Sequence, residues 1–171
     1  MFGKDWNMIQ QLCTKEVLLE TAKEVFESMI FMDINEAHEP AQKAESWTLL
    51  SSITFKGAFH GCLIFSCDIS CAQAITKNML GIDTTEELSE EEVCDALGEV
   101  VNMVMGSVKS RLQDNFGDVK VSIPTTINGR KLCNNNNNLG IGTTELSIEI
   151  DIDSKYTATL SLLYRKTLKT E

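Results

Sequence analysis

The sequence has no long apolar run. None of its 171 residues lie in a stretch approaching the roughly 20 apolar residues that a membrane-crossing helix needs. The opening segment, "MFGKDWNMIQQLCTKE", lacks the apolar centre of a secretion signal, so the expected location is a reducing cytoplasm. Positive charge is also scarce. Fifteen Lys and Arg stand against 25 Asp and Glu, a formal charge of −10, which argues against nucleic acid and anionic membrane surfaces as partners. There is no CxxC pair. The six cysteines, Cys13, Cys62, Cys67, Cys71, Cys94 and Cys133, read as small apolar residues rather than a disulfide framework. His60, Cys62, Cys67 and Cys71 fall close together in sequence, but their spacings match no zinc-site pattern, and no metal site is expected. No internal repeat is visible.

What is present is an ordinary globular composition, 43% hydrophobic and 23% charged. The expectation is one domain over residues 1–171, with a core large enough to stand without metal or disulfide staples. Thr14 can cap a first helix running to about Met32, whose Val17, Ala22, Val25, Phe26, Met29 and Ile30 form one apolar stripe. "DINEAHEPAQKAE" has no periodicity and reads as a surface loop. "SWTLLSSITF" alternates, placing Trp47, Leu49, Ile53 and Phe55 on one face, and Lys56-Gly57 turns the chain into "AFHGCLIFS" as a β-hairpin. A second helix begins at Asp68 or Ser70 and stops at Gly81. A third begins at the Ser89–Glu92 capping box and ends by Gly117. "VKVSIPTTI", "TELSIEIDID" and "YTATLSLLY" are strands, and Asn134–Asn138 reads as a solvated loop tip. The order α-β-β-α-α-β-β-β predicts an α+β fold, an α/β sandwich with a largely antiparallel sheet and helices packed against it.

The third helix carries an unexplained polar register in "DALGEVVN". At about 100° per residue, with Asp95 at zero, Glu99 falls near 40° and Asn102 near −20°. Val93, Leu97, Val100, Val104 and Val108 fall on the opposite side of the helix, so the acid-acid-amide stripe points away from the core. Gly106 continues the stripe by one turn and Gly98 flanks it. Each glycine costs about 1 kcal/mol in a helix interior, and together they point to room for a second surface to approach. Geometry alone leaves a plainer reading open, since acids near a helix N-terminus suit both water and the helix dipole.

The pattern D-x-x-x-E-x-x-N, filled by Asp95, Glu99 and Asn102 in "EEVCDALGEVVNMVMGSVKSRL", resembles the signature helix of the CheC/CheX/FliY chemotaxis phosphatases. "LLETAKEVFESMI" resembles the opening helix of that family, and "VSIPTTINGR" the strand after the signature. The motif occurs once. Asn35, Asn78, Asn115 and Asn128 are preceded three residues earlier by Met32, Ile75, Leu112 and Thr125, and a single copy is the CheX pattern.

The resemblance implies a phosphatase acting on a phospho-aspartyl CheY-like response regulator, with no cofactor on this chain. The divalent metal, Mg2+, belongs to the receiver domain. Asn102 and Glu99 are the implied catalytic residues. Asn102 orients the hydrolytic water, and Glu99 pairs with the receiver's lysine. Asp95, Glu99 and Gly106 are the implied partner-binding residues, and a homodimer is expected. Neither His38 nor His60 is required. Two other readings stand beside this one. The first is a non-catalytic receiver-binding or flagellar-switch scaffold of the same fold; the second is a metal or redox protein using His60 and the cysteines.

Overall fold

The computed structural model describes residues 9–11, 13–37, 48–129 and 142–167. Helix α1 (Lys15–Val25) starts where Thr14 accepts the Val17 N–H and continues as a π turn over Phe26–Ile30. Phe31 then breaks it in the left-handed region, at φ 60°. Strand β1 (Ile34–Glu36) follows, then the hairpin β2 (Thr48–Lys56) and β3 (Phe59–Asp68). Helix α2 (Ile69–Leu80) is capped by Asp68, which accepts from Cys71 N. It closes on Gly81 at φ 64°, with Ile82 N donating to Lys77 O and Gly81 N to Asn78 O, the paired bonds of a Schellman end. Helix α3 (Glu90–Phe116) precedes β4 (Lys120–Val121), β5 (Thr125–Gly129), β6 (Thr144–Ile152) and β7 (Tyr156–Lys166).

All strand pairs are antiparallel, in the order β1-β6-β7-β3-β2, with β4 and β5 sharing the far edge of β2. The α+β sandwich expected from the sequence is the fold of the chain. Period-two alternation sorts the strands. Leu49, Ile53, Phe55, Leu63, Phe65, Ile148, Ile150, Ile152, Ala158, Leu160 and Leu162 are buried on one face. The helices close over that face, and one hydrophobic cluster runs from Ile9 to Tyr164. Each fully buried Leu, Ile or Phe contributes about 1.5–3 kcal/mol of transfer free energy.

Two elements differ from the expectation. Residues 34–36, read as loop, form an edge strand on β6, with Ile34 buried and Asp33 N donating to Asp153 Oδ1. A three-residue strand with one apolar side chain has no period to read; its partner makes it a strand. The strand expected across "VKVSIPTTI" is broken in two. Pro124 has no N–H to give a ladder, and just before it the Ser122 hydroxyl accepts the Thr54 N–H. Trp47, His38, Cys133 and the Asn134–Asn138 tract lie outside the described residues.

Candidate functional site

Helix α3 is the longest element, at 27 residues, and its start is fixed twice over. Ser89 Oγ accepts the Glu92 N–H, while Glu92 Oε2 accepts from Ser89 N and Oγ at 2.8 Å. The Ser89 backbone bond, then its hydroxyl, holds the Glu92 carboxyl below its ordinary range. From this end the helix runs over β2, β3 and β5 with α1 and α2 against it, so most of its circumference is covered. Val93, Leu97, Val100, Val101, Val104, Met105, Val108 and Leu112 are buried. Asp95, Glu99, Asn102 and Gly106 are exposed, one turn apart along a single stripe.

Within the stripe, Asn102 Nδ2 donates to Glu99 Oε2 at 3.3 Å. A primary amide is planar, with its oxygen and nitrogen on opposite sides. Committing the NH2 to Glu99 therefore turns Oδ1 the other way, where it can accept a hydrogen bond. Nothing lies within 4 Å of where a Gly106 side chain would begin, so a partner's surface can come down to the helix backbone there. Gly98 is different. It is buried, and a Cβ on it would sit 3.5 Å from Pro124 Cβ and 3.9 Å from Thr126 Oγ1. The closeness that this glycine allows is to the protein's own strand β5, which corrects its reading as part of the open flank.

A shallow groove of about 340 Å3 runs beside the stripe between α1 and α3, lined among others by Ser28, Met29, Met103 and Ser107. Its walls are tied by Arg111 to Glu20 (3.3 Å) and Glu24 (3.6 Å), and by Ser107 Oγ to Glu24 Oε2 (2.9 Å). These ion pairs are exposed and worth little singly. The groove had no signature in the sequence, because it joins residues some 80 positions apart.

Among the described residues, His60 and the cysteines do not come together as a second site. His60 and Cys62 alternate onto the face of β3 opposite the buried Phe59, Leu63 and Phe65, whereas Cys67 and Cys71 are buried in the core. His60 Nε2 accepts from Arg165 Nε, so its proton sits on Nδ1 and donates to Thr167 Oγ1 at 3.2 Å. Thr167 in turn donates to Gly57 O. Desolvation first, then Arg165 and Lys56, keeps the His60 pKa below its usual value. This is a tie across the sheet. Burial likewise pushes the thiols of Cys13, to about 11, and of Cys62 and Cys94 up, opposite to the shift an activated nucleophile needs. No group of three or more His, Cys, Asp or Glu side chains among the described residues is placed to hold a metal ion. No helix among them is long and apolar enough to cross a membrane.

Fold and site together define a class: an antiparallel sheet with helices packed on one face, whose longest helix carries an exposed acid-acid-amide stripe. The chain belongs to the CheX family, whose description, "Chemotaxis phosphatase CheX", matches residues 49–154 and so includes the stripe. No curated protein matches the chain. Solved structures share its fold. CheX from Vibrio vulnificus is 22% identical, with a TM-score of 0.71 over 88% of this chain and 95% of that one. The complex of CheX with CheY, BeF3 and Mg2+ from Borrelia burgdorferi gives 18% identity and a TM-score of 0.65, covering 88% and 97%. FliY from Thermotoga maritima gives 17% and 0.58, covering 95% and 90%.

Proposed function

We propose that this protein hydrolyses the aspartyl phosphate of a phosphorylated CheY-like receiver, with Asn102 orienting the attacking water and Glu99 engaging the receiver's lysine. The observation that carries this reading is the exposed Glu99–Asn102 pair, in which Asn102 Nδ2 donates to Glu99 Oε2 and Oδ1 is the amide's acceptor. The family's description as a chemotaxis phosphatase and the fold shared with a CheX that is found bound to CheY support it.

An acyl phosphate is already an activated group, and the receiver's own Mg2+ offsets charge on its oxygens. The missing part is a water held in line. The water oxygen bonds to phosphorus as the P–O bond to the aspartyl carboxylate breaks. The products are the free carboxylate and inorganic phosphate, which retains the water's protons. A carboxamide suits the positioning because it accepts from water without bringing a charge near an anionic phosphoryl group. Glu99, one turn earlier, can accept from a lysine ammonium while still holding the Asn102 amide, since a carboxylate offers about four acceptor sites. Asp95 extends the same acidic face.

The test is the lifetime of acetyl-phosphate-labelled receiver domains of the CheY class, measured with and without this protein. Catalytic shortening is expected at substoichiometric amounts. Binding that leaves the lifetime unchanged or lengthens it would establish the scaffold reading instead. Glu99→Ala should raise the dissociation constant for the activated receiver about tenfold, and Glu99→Lys more, as loss of one charge-assisted bond does. Unchanged affinity in both variants would remove Glu99 from the docking face.

A further inference from the structure

We infer that Thr126 and Ser51 are positioning residues for the Asp95–Glu99–Asn102 stripe, an inference that rests on the phosphatase reading above. Thr126 Oγ1 donates to the carbonyl of Cys94, the residue just before Asp95, at 3.0 Å. Ser51 Oγ lies 3.0 Å from Thr126 Oγ1, and either could donate on distance alone. A threonine has one hydroxyl hydrogen, and the Cys94 carbonyl takes it, so Ser51 is the donor of the pair. The chain Ser51 → Thr126 → Cys94 therefore runs one way, from the interior of the sheet to the helix.

Ser51 is 0% exposed, on the core face of β2 among Leu49, Ile53 and Phe55, where a hydroxyl gains nothing from water. Its register partner on β5 is Thr126. One turn along α3, Gly98 puts no side chain between helix and strand, so Pro124 and Thr126 pack against the helix directly. Strand β5 thus meets α3 at Cys94 and Gly98, two successive turns that lead into the stripe. The side chains that α3 buries, Val93, Leu97, Val100, Val101, Val104 and Met105 among them, are apolar, and such contacts resist separation far more than a small roll or slide. A hydrogen bond is directional, and it fixes what those contacts leave loose. Roll and height of α3 decide where Asn102 meets a docked partner, and a misplacement of about 1 Å can cost 10²-fold in a reaction that depends on positioning.

Thr126→Val keeps the side-chain shape and deletes the hydroxyl, leaving the buried Ser51 donor without its acceptor. Tm should fall by about 5 °C and kcat for the phosphorylated receiver about tenfold. Thr126→Ser should restore both. The Ser51→Ala/Thr126→Val double variant removes donor and acceptor together, so its Tm should return close to the unsubstituted value. Its kcat should stay about tenfold down at unchanged KM. Recovery of kcat along with Tm would show a purely structural role and overturn the inference. Asn102→Ala run in parallel separates the two readings. A slow Asn102→Ala beside a fully active double variant defeats this inference alone, while a fully active Asn102→Ala defeats the hydrolytic mechanism and this inference with it. A second readout is independent of turnover: the Asn102 side-chain NH2 resonances should shift in the double variant, and unmoved resonances would overturn the positioning role.

Discussion

Asn102→Ala should leave the protein folded and able to bind a phosphorylated receiver, and should slow hydrolysis about 10²-fold or more, the scale of a lost positioning group. Asn102 is exposed, so truncation opens no cavity. Alanine is also the better helix former by some tenths of a kcal/mol, so Tm should hold or rise slightly, and a slow variant cannot be explained by unfolding. The side chain's bond to Glu99 is solvent-exposed and 3.3 Å long, so its loss costs little stability. On the proposed docking, Glu99 would keep its carboxylate for the partner's lysine, and affinity should therefore change far less than rate. Asn102→Asp sharpens the comparison. It has nearly the same shape, but it sets a negative charge against the phosphoryl oxygens, so it should fail to rescue the rate and should also weaken docking. Single-turnover decay of labelled receiver, with the dissociation constant measured separately, checks both quantities. A rate within twofold of the unsubstituted protein would remove the amide from the reaction.

The parts of the molecule legible in the sequence are those whose cause is local. The Ser89–Glu92 box, the Asp68 cap and Gly81 each sit within a few residues of the bonds they make, and each ends or begins a helix where the spacing predicted. The outward stripe followed from helical geometry, because the apolar residues at Val93, Leu97, Val100, Val104 and Val108 leave the opposite side of α3 for solvent. Strand β1 was hidden because its partner β6 lies over a hundred residues away. Gly98 was misread for a related reason. A wheel tells which way a residue points but not what meets it, and Thr126 of β5 and Pro124 just before it arrive from a distant part of the chain. Ser51 has no local sign of its partners in the sequence, because they are Thr126 and, through it, Cys94. The catalytic assignment of Asn102 and Glu99 came from the family pattern. Geometry adds that the two side chains are exposed and hydrogen-bonded to each other.

Gly61→Ala should cost about 3 kcal/mol or more and lower Tm by about 10 °C, although it adds one carbon to an otherwise ordinary strand. Glycine within β3 reads as a weak point in an alternating run, yet β3 and β7 come so close there that the residue has no alternative. A Cβ on Gly61 would lie 1.9 Å from the Leu163 carbonyl oxygen and 2.8 Å from Tyr164 Cα, both backbone atoms that cannot swing aside as a side chain can. Gly61 pairs with Tyr164, so any relief must pull apart the central β3–β7 ladder. It would also disturb the aromatic cluster beside it, where the Phe59 ring lies 5.6 Å from Phe55, 5.7 Å from Phe116 and 6.1 Å from Tyr164. Phe116 is the last residue of α3, so the damage should reach the far end of the site helix while the Asn102 half, held by Thr126, keeps its place. At temperatures where the variant is folded, kcat should accordingly stay near the unsubstituted value even as Tm falls, which is the reverse of the pattern for Asn102→Ala. Thermal unfolding followed by circular dichroism, with receiver decay at 15 °C, separates the two. A Tm within 2 °C of the unsubstituted protein would mean that the two strands stand farther apart than these distances allow.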